Sequence, residues 1–126
     1  MVMVENEKIY WEFIRKLRNL NVGFLEQVKI TSNQQHDYMT INGNNYYICL
    51  EGDNVTGFIG LVDNDIRLSV SPDHRNKGIA EFMLKWLIEK FPDAKAQVLY
   101  DNLPSKKLFE KCGFKPHMIM YKKENK

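Results

Sequence analysis

Cysteine is scarce here, and its spacing suits neither a metal nor a disulfide framework. Only Cys49 and Cys112 occur, far apart and with no CxxC, and the three histidines (His36, His74, His117) are scattered. No metal site is therefore expected. Two separated thiols read as reduced, which suits a cytosolic setting. Long apolar runs are also missing. None approaches the roughly 20 residues of a membrane-spanning helix, and the opening MVMVENEKIYWEF turns acidic and polar after four residues, unlike a signal peptide. The expected localisation is cytoplasmic, without a membrane partner. Charge of one sign is lacking too. Lys and Arg number 18 against 16 Asp and Glu, for a net charge of +2, too little to imply nucleic acid. Much of the excess lies in Lys122-Lys123-Glu124-Asn125-Lys126, which reads as a solvated end.

What is present suits one folded unit. The 126 residues are 44% hydrophobic and 27% charged, enough for a core without staples and too few for two. A single domain over residues 1–126 is expected.

Ile9, Phe13, Leu17 and Leu20 recur at helical steps and predict a helix from Glu5 to Leu20. Thr31 or Ser32 can cap a short second helix running to Met39. After the turn cluster Asn42-Gly43-Asn44-Asn45, two apolar runs over residues 46–50 and 55–62 flank Glu51-Gly52-Asp53-Asn54 as a hairpin. Asp63-Asn64-Asp65 turns again. Ile66, Leu68 and Val70 then alternate with Arg67, Ser69 and Ser71 as a third strand, closed by Pro72. From Ile79 to Lys90 the period is helical. Residues 94–100 predict a strand, Leu103 to Lys111 a helix that leaves through Gly113, and residues 114–121 a final strand. The order implies a mixed α/β layer structure.

The most informative stretch joins the third strand to the long helix: Val70-Ser71-Pro72-Asp73-His74-Arg75-Asn76-Lys77-Gly78-Ile79-Ala80. A helix start leaves about four N–H groups unpaired and carries partial positive charge, so it suits phosphate. Gly78 allows close approach of an anion, Ala80 keeps the next turn open, and Arg75 and Lys77 add charge. The stretch lacks both the GK[ST] of an ATP-type loop and a dinucleotide glycine fingerprint.

Arg75-Asn76-Lys77-Gly78-Ile79-Ala80 resembles the acyl-CoA signature R/Q-x-x-G-x-G/A of the GNAT acetyltransferase superfamily, with the V-x-P lead-in Val70-Ser71-Pro72. Downstream, the run from Asn102 to Phe114 (NLPSKKLFEKCGF) is similar to its second signature, N-x-x-S/A-x-x-L-Y/F-E-K-x-G-F. The two motifs lie within a similarity that covers residues 55 to 121. At the front, Leu17-Arg18-Asn19, Ile30-Thr31 and His36 are similar to some sugar-amine acetyltransferases of that superfamily.

The resemblance implies an α/β fold with a mixed, mostly antiparallel central sheet, splayed parallel strands and flanking helices. It implies acetyl-CoA as co-substrate and a small-molecule primary amine as acceptor. The pantetheine arm would lie between the splayed strands, residues 66–71 and 94–100. The backbone of Asn76, Gly78, Ile79 and Ala80 would hold the pyrophosphate, with Arg75 and Lys77 nearby; Asn102 would face the arm, and Val70, Ser105 and Phe109 would also contact the coenzyme. The main-chain N–H of Leu68, at a strand bulge, would steady the oxygen that becomes negative during transfer. Phe109 departs from the family pattern, since many members have a proton-donating tyrosine there. Tyr100 is the nearest substitute donor and Ser105 another. Glu51, Asp63 and Asp65 are candidate bases, with Asp65 preferred.

Other readings are a sugar-nucleotide amine or a protein N-terminus as acceptor, or a coenzyme-binding sensor without catalysis, which Phe109 keeps open. Edge strands and apolar faces are compatible with a homodimer.

Overall fold

The computed structural model describes residues 1–20 and 29–124. Four strands form one antiparallel sheet in the order β1 (Val2–Glu5), β2 (Tyr46–Glu51), β3 (Asn54–Val62), β4 (Asp65–Val70). Helices α1 (Trp11–Leu20) and α2 (Ser32–Asn42) cover one face. Helix α3 (Ile79–Lys90) packs on the other, with α4 (Leu103–Lys111) beside it. No helix among the described residues is long and apolar enough to cross a membrane.

Alternation along the strands splits the core in two. Ile14, Leu17, Met39, Tyr46, Ile48 and Phe58 bury beneath α1 and α2. Cys49, Ile59 and Ile66 face Ile79, Met83, Leu84 and Leu87 of α3. Gly57 permits this second contact. A Cβ there would stand 2.8 Å from the Ser69 carbonyl oxygen and 3.0 Å from Met83 Cε, so α3 can approach only where that side chain is missing.

Local chemistry sets the boundaries. Asp63 and Asn64 both have positive φ, 51° and 67°, the two-residue turn whose twist matches an antiparallel pair. Thr31 caps α2 reciprocally: its Oγ1 accepts from Gln34 N–H at 3.1 Å, while Thr31 N–H donates to Gln34 Oε1 at 2.9 Å. Asn19 ties α1 to the approach to α2. Its Oδ1 accepts from Ile30 N–H at 2.8 Å and its Nδ2 donates to Ile30 O at 3.0 Å.

Several expectations are corrected. Val2–Glu5 is a strand paired with β2, because Met3 and Val4 each find a different core, one on either side of the sheet. The first helix starts at Trp11, after a 3₁₀ turn over Lys8–Tyr10. Ile14 and Leu17 are its buried residues, while Ile9 and Leu20 are 78% and 62% exposed. Residues 94–100 make one parallel bridge, Lys95 to Asp65, and then leave the sheet. Residues 114–121 form no strand, and Met118 to Tyr121 are exposed. These two corrections are linked, since an extended segment without a neighbour has no ladder to join.

Candidate acetyl-CoA site

The site is built around the outer edge of β4. Ile66 N–H donates to Lys95 O at 2.8 Å, on the side away from β3, whereas Ser71 N–H donates to Thr56 O at 2.8 Å, toward β3. Backbone groups alternate along a strand, so the N–H and C=O of Leu68 and Val70 share the outward direction of Ile66. Lys95 N–H closes the inner end of this edge on Asn64 O at 3.0 Å. Among the described residues no ladder continues beyond Lys95, so a wedge opens with the polar edge of Leu68 and Val70 along one side.

Leu68 was expected at a bulge, and it is not at one. The β3–β4 register runs unbroken from Gly57↔Val70 to Val62↔Asp65, and the irregularity lies at Cys49/Leu50 in the β2–β3 pair. An outward N–H at Leu68 needs no bulge, because strand parity already provides it.

The loop after β4 leads directly to the start of α3. Arg75 Nε donates to Val70 O at 3.4 Å, anchoring the loop on the open edge. Asn76 and Gly78 adopt left-handed φ of 62° and 79°, and Gly78 is the N-cap of α3 without a side chain. The first cap bond is Phe82 N–H to Gly78 O at 3.0 Å, so the N–H groups of Ile79, Ala80 and Glu81 precede the helical ladder. A Cβ on Gly78 would meet nothing within 4 Å. Residues 75–78 are exposed and Ile79 is buried. The result is an open, cationic helix start with its amides uncovered, a fit for a pyrophosphate.

The second signature forms α4, which packs beside α3. Asn102 caps α4, its Oδ1 accepting from Ser105 N–H at 3.3 Å. Its Nδ2 donor makes no hydrogen bond to the described residues. Helix α4 ends with Phe114 N–H to Phe109 O at 2.9 Å and Gly113 N–H to Glu110 O at 3.1 Å, with Gly113 at φ 92°. This double bond pattern brings an apolar contact between the two outer residues. Phe109 and Phe114 supply it edge to face, 5.2 Å between centroids. Phe109 is thus a packing residue of the helix end. Glu81 joins the two helices through Lys111 Nζ at 3.0 Å. That contact, against the opposing effect of burial, holds its carboxyl below the usual range.

The remaining candidates lie apart. Tyr100 sits in a turn rather than at a strand end and is 89% exposed, with Lys106 Nζ 4.7 Å above its ring. Asp65 stands at the closed end of the wedge, its Oδ2 accepting from Gln97 Nε2 at 3.3 Å and its Oδ1 4.0 Å from Lys95 Nζ. Three residue steps along the strand separate it from Leu68, roughly 10 Å at the usual rise. Glu51 and Asp63 are exposed residues at strand ends. Sequence reasoning passed over Arg67, although its position between Ile66 and Leu68 already placed it on the opposite sheet face from the α3 core.

Residues 7–114 match the Acetyltransferase (GNAT) family. The chain therefore belongs to the GNAT acetyltransferase family, and its fold agrees with solved members. It superposes on an N-acetyltransferase from Staphylococcus aureus with TM-score 0.78 at 20% identity, covering 90% of this chain and 82% of that one. A ribosomal-protein-alanine N-acetyltransferase from Brucella melitensis gives TM-score 0.77 at 14% identity, covering 91% and 85%. A spermidine N-acetyltransferase from Vibrio cholerae, in complex with CoA and spermine, gives 0.76 at 16% identity, covering 89% and 79%.

Proposed function

We propose that this chain, as one domain, transfers the acetyl group of acetyl-CoA to the primary amine of a small molecule by direct attack on the thioester. The observation that carries the reading is the continuity of the open β4 edge with the uncovered start of α3. One polar track runs from Leu68 through Val70 to Gly78. Two related structures named with a bound coenzyme support the choice of ligand, one with CoA and one with acetyl-CoA. Arg75, Lys77 and the backbone of Asn76, Gly78, Ile79 and Ala80 hold the pyrophosphate. Val70, Asn102, Ser105 and Phe109 bound the arm.

Acetyl-CoA supplies an activated acyl carbon, and the residues of the chain place it and its attacker. Leu68 N–H, fixed by the flanking ladder, donates to the acyl oxygen as charge builds there. One such preorganised donor typically contributes roughly 3 kcal/mol. An amine with pKa about 10.4 must lose a proton first, at a cost of roughly 4 kcal/mol near pH 7.4. Asp65 can receive that proton only through water, given the roughly 10 Å of strand between it and Leu68. Phe109 donates no proton, and Tyr100 is placed on the surface. The thiolate therefore leaves without an acid from position 109, which a thiol of pKa near 8.5 permits.

The test is a transfer assay with radiolabelled acetyl-CoA and a panel of amines. The reading expects label in an acetyl amide, in proportion to enzyme. Acetyl-CoA binding without labelled product from any amine would instead favour a coenzyme sensor.

A further inference from the structure

The sheet face under α1 and α2 carries a cation that the chemistry above leaves unused. Strand β4 sends Ile66, Leu68 and Val70 to the α3 side, and therefore Asp65, Arg67 and Ser69 to the other. Gly60 is the partner of Arg67 on one side and of Tyr46 on the other. Tyr46, Gly60 and Arg67 thus form one row across three strands. The row has no side chain at its centre, and the Tyr46 ring fills that space: a Cβ on Gly60 would fall 2.5 Å from Tyr46 Cδ1. The Tyr46 hydroxyl shares a 2.8 Å hydrogen bond with the hydroxyl of Tyr38 on α2.

Two cations act near the Tyr46 hydroxyl. Burial first, and then the Tyr38 hydrogen bond, push the Tyr46 phenol well above its ordinary range, while Arg18 of α1 and Arg67 pull it back. Arg18 and Arg67 thus both lie within electrostatic reach of the Tyr46 hydroxyl. Arg67 is half-buried, and among the described residues its side chain has neither an ion-pair nor a hydrogen-bond partner. The acid two positions away on its strand, Asp65, is engaged by Gln97 and Lys95. A half-buried guanidinium with five donors and no protein acceptor among the described residues has donors available to an anion. It also directly precedes Leu68, the proposed donor to the acyl oxygen.

The geometry points to Arg67 as a specificity residue that binds an anionic group, a carboxylate or a phosphate, on the amine acceptor. This deepens the transfer reading and rests on it. A planar fork beside the transfer point would hold either anion in two parallel hydrogen bonds. The same cation would repel a polyamine, whose charges are all positive.

Matched acceptors test it: phosphoethanolamine against ethanolamine, β-alanine against its amide, and spermidine, each with acetyl-CoA and the full chain. In at least one pair the anionic member is expected to have the higher kcat/KM, the phosphate and carboxylate arms showing which anion fits. Arg67→Gln should lower the anionic-to-neutral ratio by about 10- to 100-fold, as loss of a charged hydrogen bond does. Arg67→Lys should lower it less, and Lys85→Gln should leave it unchanged. Unaltered acetyl-CoA affinity in Arg67→Gln reports that the fold persists. A preference for spermidine or the neutral members, or an unchanged ratio in Arg67→Gln, overturns the inference while leaving acetyl transfer standing. If acetyl-CoA binds and no acceptor of any charge is acetylated, the transfer reading falls and the inference falls with it.

Discussion

Gly78→Ala separates the two demands made on the start of α3. Gly78 has φ 79°, and an L-residue in the left-handed region costs roughly 1–2 kcal/mol. The new methyl meets no protein atom, since nothing lies within 4 Å of its position. The loss of stability is therefore the backbone term alone, about 1 kcal/mol, or roughly 4 °C in Tm for a domain of this size. Coenzyme binding should suffer more. The methyl enters the space through which a phosphate reaches the amides of Ile79 and Ala80, and losing one charge-assisted hydrogen bond there weakens CoA by about tenfold or more. Thermal denaturation gives the first quantity, and calorimetric titration with CoA and with pantetheine gives the second. Pantetheine lacks the pyrophosphate, so its affinity should hardly change. Equal loss for both ligands, or CoA binding as in the wild type, would refute the placement of the pyrophosphate.

Three further outcomes follow from the packing. Gly60→Ala drives a Cβ to 2.5 Å from the Tyr46 ring and should cost about 1–3 kcal/mol in urea unfolding, whereas a surface substitution such as Lys85→Gln should stay within about 0.5 kcal/mol. Thr31→Ala removes the reciprocal cap of α2 and should lower stability by about 1 kcal/mol without changing CoA affinity. Glu81 has its folded-state pKa depressed, chiefly by the Lys111 hydrogen bond. Its contribution is therefore present above the ordinary carboxylate pKa and is lost as pH falls through the lowered one. The Tm difference between wild type and Lys111→Met should be visible at pH 7 and vanish at acid pH.

The strand-to-helix loop proposed to hold the coenzyme was legible as a loop because its pattern is local. Gly78 between a strand and a helix, with Arg75 and Lys77 close by, is a contiguous pattern, and the structure places it at the α3 start. The β2–β3–β4 meander was legible for a similar reason, through turn residues and alternation. The first strand was not, because Val2–Glu5 is too short to show a period and owes its place to pairing with β2. The strand expected over residues 94–100 failed for the complementary reason. Its apolar composition is right, but among the described residues it forms no strand bridge after Lys95. The role of Phe109 was legible only by contrast with a tyrosine. The helix-end bonds that give the ring its place, Gly113 N–H to Glu110 O and Phe114 N–H to Phe109 O, belong to the folded chain. Arg67 was passed over because its sequence neighbours say only that a strand alternates. Its significance comes from Gly60 and Tyr46, brought beside it by the register.

The central claim, that the β4 edge and the Arg75–Ala80 loop receive acetyl-CoA, is tested most directly by calorimetric titration of the wild-type chain with acetyl-CoA. The account predicts saturable one-to-one binding that is weakened in Gly78→Ala. An absence of binding by the folded wild-type chain would contradict it.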